Sequence, residues 1–344
     1  TRIHLTCEDP EPHPVGGEDI YYRYSINGVM DMDWTLYTEP FGFPEECIHE
    51  LQYRCIDDLN NTEDTHYETY HVDHTPPNTT KTYGDPFYTN GMSEWINTQT
   101  PIYLNPDDGN GECASGVAET WYKDVIVDDS YCEAVENCMP VDEETGTWEL
   151  YEEGPLYKNE ESCHILQYYS IDNVNKTEDM NYKCFYVQNS TPVSWKEVGE
   201  PKVPYGDPAN GDYYMTQNTT ISLFCNETGP HPTGNYTINY GWYLNGDWMG
   251  WNIYEEPFTY PTDSNHTLKW YCVDALGNME EEHTEIDIVD TVPPNSTKIL
   301  GIPKKECSAD EKEEYEMDDC WYVTQNTLVE LSCNDPEPHP VGGE

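Results

Sequence analysis

The feature that most constrains this chain is a repeat that links its two ends. Residues 1–18 read TRIHLTCEDPEPHPVGGE and residues 327–344 read TLVELSCNDPEPHPVGGE, so 13 of the 18 positions are identical. Cys7 recurs as Cys333, which sets a period of 326 residues. Since the two copies differ at five positions, they are variants of one unit. The 344 residues therefore cover one long period and a short overlap with the next.

A shorter repeat lies inside this period. Its first motif, Trp-x-x-Tyr, begins at Trp34, Trp148 and Trp251, at spacings of 114 and 103 residues. A second motif follows each copy, as LQYRCIDDLN at 51–60, LQYYSIDNVN at 166–175 and LKWYCVDALG at 268–277. Such spacing is typical of domains of about 100 residues.

Each unit closes on a proline-containing segment, and these segments predict the domain boundaries. The predicted domains, named first to fourth below, are residues 1–76, 77–192, 193–293 and 294–344. We expect the first domain to lack its opening strand and the fourth to be an N-terminal half. Either one giant chain continues through further periods, or copies assemble head to tail by exchanging strands. We favour the giant chain. If copies exchanged strands, the overlap at the end of one copy would have to compete with the matching opening segment of the next copy for the same place.

The residue pattern predicts an all-β fold. Ile3, Leu5 and Cys7 alternate with polar residues, and the same alternation recurs at 221–225 and 329–333. Asn27-Gly28 and Asn245-Gly246 follow aromatic runs and are strong hairpin signals, because both turn positions must accept a positive φ. Short strands in units of this size predict tandem immunoglobulin-like β-sandwich domains joined by proline-containing linkers.

The chain has 13 cysteines and no zinc-finger spacing, which indicates disulfides and an oxidising compartment. Cys7 and Cys55 are 48 residues apart, and Cys225 and Cys272 are 47 apart. In an immunoglobulin-like sandwich these positions face each other across the core, so we predict both disulfides. In the second domain Pro106 and Ser170 take the two equivalent positions, as expected if the partners are lost together.

We also predict that Cys132 pairs with Cys138 inside an insertion, and that Cys307 pairs with Cys320 around an acidic stretch. The sequence does not assign partners to four further cysteines, at Cys47, Cys113, Cys163 and Cys184. Excluding Cys333 of the overlap, one period holds twelve cysteines, so a free thiol is unnecessary.

Nine Asn-x-Thr sequons predict N-linked glycans and an extracellular or cell-surface protein, although a Thr-rich β protein with accidental sequons is the alternative. They begin at Asn60, Asn78, Asn175, Asn189, Asn218, Asn226, Asn235, Asn265 and Asn295.

The formal net charge of −52 excludes a nucleic-acid partner bound by phosphate neutralisation and docking on an anionic membrane. No apolar run reaches the 18 or more residues of a membrane span. No nucleophile, metalloprotease or phosphate-loop motif is present, so we expect no enzymatic activity.

Carboxylates crowd the loops that follow several predicted strands, and hard oxygen ligands on flexible loops suit Ca²⁺. Structural Ca²⁺ is the one cofactor that we expect. Its candidate ligands are Asp9, Asp107, Asp108, Asn110, Glu112 and Asp290. We also expect that Asp73 and Asp290, at two of the proline segments, bridge neighbouring domains through a cation.

Taken in order, T-x-I-x-L-x-C, W-x-x-Y-x-E-P-F, L-x-Y-x-C-x-D and V-D-x-T-P-P resemble the tandem immunoglobulin-like repeats of very large archaeal surface proteins, over the whole chain. The resemblance implies a structural repeat of an extracellular filament or stalk, whose partners are neighbouring repeats or copies of itself. The alternative that it leaves open is a cell-surface adhesin that binds a glycan or a partner cell through the sandwich loops.

Overall fold

A computed structural model describes residues 1–12, 14–109, 111, 113–314 and 319–336. The described chain is almost entirely β, with 25 strands and one short α-helix. It divides into two compact units, Thr1–Asn189 and Ser190–Glu344. No helix in the described part of the chain is long and apolar enough to cross a membrane.

The first domain contributes one antiparallel sheet with the strand order β2-β1-β3-β4. Its strands are β1 (Asp19–Ile26), β2 (Val29–Leu36), β3 (Cys47–Ile56) and β4 (His66–Val72). Asn27 and Gly28 have φ angles of 51° and 76° in the β1–β2 turn, as their sequence requires. The predicted strand over residues 3–7 is reduced to a bridge between Ile3 and Phe41, since no described strand pairs with its other edge.

The second domain is a sandwich of two sheets. One pairs β5 with β8, and the other has the order β10-β9-β11-β12-β7-β6, with β7 parallel to β12. The strands are β5 (Asn78–Tyr83), β6 (Phe87–Thr89), β7 (Glu94–Ile96), β8 (Ile102–Asp107), β9 (Val117–Val127), β10 (Glu149–Leu150), β11 (Cys163–Asp172) and β12 (Asn181–Val187). Ile102 and Leu104 of β8 share a buried core with Leu166, Phe185 and Val187 of the larger sheet.

The predicted pairing of Cys132 with Cys138 is wrong. Cys132 pairs with Cys163 and Cys138 pairs with Cys184. The physical reason is that the insertion folds over the outer face of β11, where Gln167 is fully buried and accepts the backbone N–H of residue 141. Each insertion cysteine therefore meets a cysteine of the sheet beneath it.

Hydroxyl groups occupy the place of the missing cross-sheet disulfide in the second domain. Ser170 Oγ lies 2.6 Å from Thr79 Oγ1 and 2.8 Å from Thr120 Oγ1, and all three residues are buried. Glu178 accepts the backbone N–H groups of Thr79 and Ser170 at 2.9 and 2.7 Å, which ties the first strand to β11. Hydrogen bonds thus link the sheets that a disulfide links in the third domain.

The third domain repeats the sandwich. Its strands are β13 (Val193–Val198), β14 (Lys202–Pro204), β15 (Tyr213–Met215), β16 (Ile221–Asn226), β17 (Tyr236–Leu244), β18 (Asp247–Trp248), β19 (Asn252–Ile253), β20 (Ser264–Asp274) and β21 (His283–Val289). Strand β13 pairs with β16, and the larger sheet runs β14-β15-β21-β20-β17-β18. Cys225 and Cys272 join the two sheets with a Cα–Cα distance of 6.3 Å, the predicted pairing. Trp270, 1% exposed, lies in the same core.

The fourth domain holds two small antiparallel sheets, β22-β25 and β23-β24. Its elements are β22 (Asn295–Leu300), β23 (Lys304–Glu306), α1 (Ala309–Glu314), β24 (Trp321–Val323) and β25 (Val329–Asn334). Cys307 and Cys320 close the segment that contains α1, as predicted. The helix itself was not predicted, and Ser308 and Glu311 cap its N-terminus reciprocally.

Candidate metal centre

The joint between the first and second domains lies within the first unit and is cross-linked. Cys47, at the start of β3, pairs with Cys113, which follows β8, at a Cα–Cα distance of 4.7 Å. The backbone N–H of Ser115 also donates to Asp73 Oδ2 across the joint at 2.7 Å. Two cysteines that the sequence left unassigned therefore tie consecutive domains together.

Three carboxylates converge at this joint. Asp73 directly follows β4 of the first domain, whereas Asp108 directly follows β8 and Asp172 ends β11 of the second domain. One oxygen of each carboxylate lies within 4.8 Å of the others, and this is the one group of its kind in the part of the chain that the structure describes. The cluster is therefore assembled from both sides of the joint.

Backbone donors fix the orientation of these carboxylates. Asp172 Oδ1 accepts the N–H groups of Val174 and Lys176 at 2.8 and 2.7 Å, in a turn beyond β11. Asp108 Oδ2 accepts the N–H of Gly116 at 2.6 Å. The second oxygens, Asp108 Oδ1 and Asp172 Oδ2, are covered from solvent and have no hydrogen-bond partner. Asp172 is 1% exposed, so its oxygen meets neither water nor a donor.

The electrostatics of the cluster favour a positive charge. Burial and the nearby carboxylates of Asp73 and Asp172 raise the pKa of Asp108. For Asp73, burial acts in the same direction, but hydrogen bonds from Ser115 and the charge of Lys176 outweigh it and lower the pKa. Three close carboxylates with one nearby lysine leave an excess of negative charge that a divalent cation would neutralise.

The structure brings together only part of the predicted ligand set. Asp108 joins the cluster, whereas the exposed Asp107 accepts the N–H of Gly109 in its own turn. Asp9 accepts the N–H of Val15 in the first domain. Asp290, in the second unit, accepts the N–H of residue 292. Asn110 and Glu112 lie outside the described residues.

Sequence analysis missed Asp172, although a signal for it was present. The second repeated motif carries an aspartate at the same position in every unit, as Asp57, Asp172 and Asp274. Asp274 repeats the turn geometry, since its Oδ1 accepts the N–H groups of residues 276 and 278. A carboxylate placed identically at the end of three equivalent strands identifies that end of each sandwich as a potential ligand position.

All nine sequon asparagines, by contrast, have exposed side chains. Asn60 and Asn175 occupy equivalent turns with φ angles of 64° and 65°. Every predicted glycan position is therefore accessible to a modifying enzyme.

No protein-family description matches the chain, and no curated protein is similar to it. Among solved structures, fibronectin(III)-like modules of Clostridium thermocellum CbhA are 9% identical with a TM-score of 0.30, covering 61% of this chain and 94% of the modules. Three N-terminal domains of the outer capsid protein Hoc of bacteriophage RB49 are 11% identical with a TM-score of 0.37, covering 83% and 92%. Protocadherin gamma B2 cadherin domains 3–6 are 9% identical with a TM-score of 0.22, covering 81% and 68%. These scores carry no argument about function. The fold is assigned from the strand order itself: tandem immunoglobulin-like β-sandwiches.

Proposed function

We propose that this chain is a structural repeat of an extracellular, N-glycosylated filament or stalk. The observation that carries the proposal is the covalent joint, since the disulfide between Cys47 and Cys113 ties consecutive domains rather than one domain to itself. Such a bond restricts bending between modules, which a stalk requires and a flexible string of binding modules does not. Neighbouring repeats, or further copies, are the partners that this role implies.

Two further properties support the proposal. Six disulfides are typical of proteins in an oxidising, extracellular environment, and nine exposed sequons would allow a dense coat of N-linked glycans. The charge of −52, spread over a string of sandwiches, keeps parallel fibres apart unless cations bridge them. We therefore include structural Ca²⁺ in the proposal, bound by Asp73, Asp108 and Asp172.

Electron microscopy of native cells tests this role. Antibodies raised against the 344-residue chain should decorate regular extracellular filaments along their length at a constant interval, because each period presents the same epitopes. Label confined to isolated globular particles would overturn the proposal. Intact mass after deglycosylation adds a second criterion, since a mass far above 39.8 kDa indicates one giant chain and a mass near it indicates strand exchange between copies.

The insertion of the second domain favours the adhesin as a second candidate. With β7 and β12 it lines a cleft of about 250 Å³ that includes the exposed side chains of Met92, Val135 and Tyr182. The third domain has only the tight Asn245-Gly246 turn after the equivalent strand. Glycan-array binding by the native chain, lost on deleting residues 133–137, would support adhesion, and an array without signal would reject it.

A further inference from the structure

A lysine and two acids meet inside the third domain. Lys196 lies on the first strand, β13, and Glu285 and Asp287 lie on the last strand, β21. Lys196 Nζ is 2.8 Å from Asp287 Oδ1 and 2.7 Å from Glu285 Oε2. The three side chains are 2%, 0% and 19% exposed, so the amine and the Asp287 carboxyl are shielded from water.

The surroundings add a hydrogen-bond donor and shift the pKa values of the two acids. Tyr260, 1% exposed, donates its hydroxyl to Asp287 Oδ2 at 3.0 Å. Burial raises the pKa of Asp287, and burial together with the neighbouring Asp287 charge raises that of Glu285. Both shifts favour the protonated acids against the opposing effect of the Lys196 charge, so the cluster eases the transfer of a proton from the ammonium group to a carboxylate.

We propose that Lys196 and Asp287 are joined by an intramolecular amide bond, with Glu285 as the residue that carries the proton. The chemistry needs only the groups present. Lys196 first gives one ammonium proton to Asp287 Oδ1, to which it donates a hydrogen bond. The lone pair of the neutral Nζ then attacks Cγ of Asp287, and a second proton passes from Nζ to Glu285. Tyr260 stabilises the negative charge that develops on Oδ2.

Glu285 then passes its proton to Oδ1, which already carries one, so the Cγ–Oδ1 bond breaks and Oδ1 departs as water. One Nζ–Cγ bond replaces one Cγ–Oδ1 bond, with no oxidant or further reactant. Holding Lys196 Nζ 2.8 Å from Asp287 Oδ1, with both side chains shielded from water, converts an unfavourable condensation into an intramolecular step. The bond would tie the first strand of the domain to the last. Its mechanical value rests on the proposed filament function, whereas its existence does not.

The second domain supplies an internal comparison. Lys81 occupies the position of Lys196, since Lys81 pairs with Leu104 as Lys196 pairs with Leu223. The position of Asp287 is taken there by Phe185, two residues before the end of β12. Lys81 is within ion-pair distance of one described carboxylate, Glu94, at 3.4 Å. This domain keeps the buried lysine without the two acids on the last strand.

Peptide mass spectrometry of the full chain tests the proposal. The chain is reduced, alkylated, deglycosylated, denatured and digested with trypsin. We expect one branched peptide containing Lys196 and Asp287, lighter by the mass of one water than its two linear parts, with no cleavage after Lys196. Cleavage after Lys81 in the same digest shows that digestion is complete. Fragmentation must place the branch on Asp287.

Linear peptides of full mass with cleavage after Lys196 would overturn the proposal, and a branch on Glu285 would overturn the assigned roles. The Glu285→Gln variant tests whether the bond needs the Glu285 carboxyl or only the closeness of the other two residues, because it keeps the lysine–aspartate pair but removes the proton carrier. We expect the full, uncondensed mass for this variant. Condensation at the wild-type level in Glu285→Gln would refute the role of Glu285. If the variant does not fold, the wild-type digest alone decides whether the bond exists.

Discussion

Replacing Asp172 by Asn tests the cation at the joint, because the change removes a charge while keeping the shape. The amide oxygen still accepts the N–H groups that Oδ1 accepts now, so the turn after β11 is retained. The covered, unpartnered Oδ2 becomes a neutral group and ceases to be a ligand. With Ca²⁺ present, the variant should be less stable than the wild type. With chelator present it should be as stable or more so, because one of three repelling carboxylates has gone.

The magnitude follows from linkage between binding and folding. Free Ca²⁺ at 100 times its dissociation constant stabilises the folded unit by about 2.7 kcal/mol. The first unit, Thr1–Asn189, is of a size for which 1 kcal/mol shifts the melting temperature by about 2–4 °C. Chelation should therefore lower the melting temperature of the wild-type unit by about 5–10 °C.

The assay is thermal unfolding of the full chain by calorimetry, in Ca²⁺ and in chelator, with Mg²⁺ as a second ion. The matched control is Asp274→Asn, which alters the equivalent turn of the third domain, where the described residues contain no group of three carboxylates. The control should keep the full Ca²⁺ response of the first unit. A wild-type melting temperature that is the same in Ca²⁺ and in chelator would refute the reasoning.

The remaining predictions concern a titrating carboxyl, a buried hydrogen-bond acceptor and the disulfide between the first two domains. Because the folded pKa of Asp108 is raised, this carboxyl should add stability to the metal-free first unit as pH falls from the raised value toward the ordinary 3.8, whereas the lowered pKa of Asp73 acts in the opposite direction. The contribution of Asp108 is the difference in pH-dependent melting between the wild type and Asp108→Asn, and Ca²⁺ should abolish it; the same pH dependence in both proteins without Ca²⁺ would contradict this. Glu178→Ala strands two buried N–H donors and should cost about 2–5 kcal/mol in urea unfolding, whereas Glu178→Gln, which keeps one acceptor oxygen, should cost less; equal midpoints would contradict this. Cys47→Ser with Cys113→Ser opens a 66-residue loop, for which chain entropy gives about 4 kcal/mol. Limited proteolysis at residues 74–77 should then become faster, and an unchanged rate would argue against a tethered joint.

The sandwich cores could be predicted from the sequence because their signals are local. Alternating residues at 221–225 and similar cysteine spacings of 48 and 47 residues identify the two facing strands of the third domain, and the structure pairs Cys225 with Cys272 accordingly. The insertion could not be predicted in this way. Its partner cysteines lie on β11 and β12, and β11 is buried on both faces, so no alternation shows which face the insertion covers.

The carboxylate cluster at the joint could be predicted only in part, for a related reason. Asp108 was identified because carboxylates crowd the loop after its strand, and Asp73 because it lies at a proline segment. Ligands from two domains meet, however, only when the end of one sandwich faces the end of the next. That geometry depends on the linker and on the tether between Cys47 and Cys113, whose pairing no spacing rule gives. Repeat comparison could have added Asp172, since it recurs as Asp57 and Asp274.

One position shows how such a repeat diversifies. The first strand of three domains carries a lysine at the same register, as Lys81, Lys196 and Lys298. Lys81 meets Glu94 in a buried pair, where burial lowers the pKa of the lysine to about 7. Lys298 meets Asp319 at 2.7 Å with both side chains about half exposed, a geometry worth little in water. Only around Lys196 do two acids and a tyrosine surround a shielded amine. The scaffold therefore holds the lysine constant, and its neighbours decide whether it serves as a surface charge, a buried ion pair or a reactant.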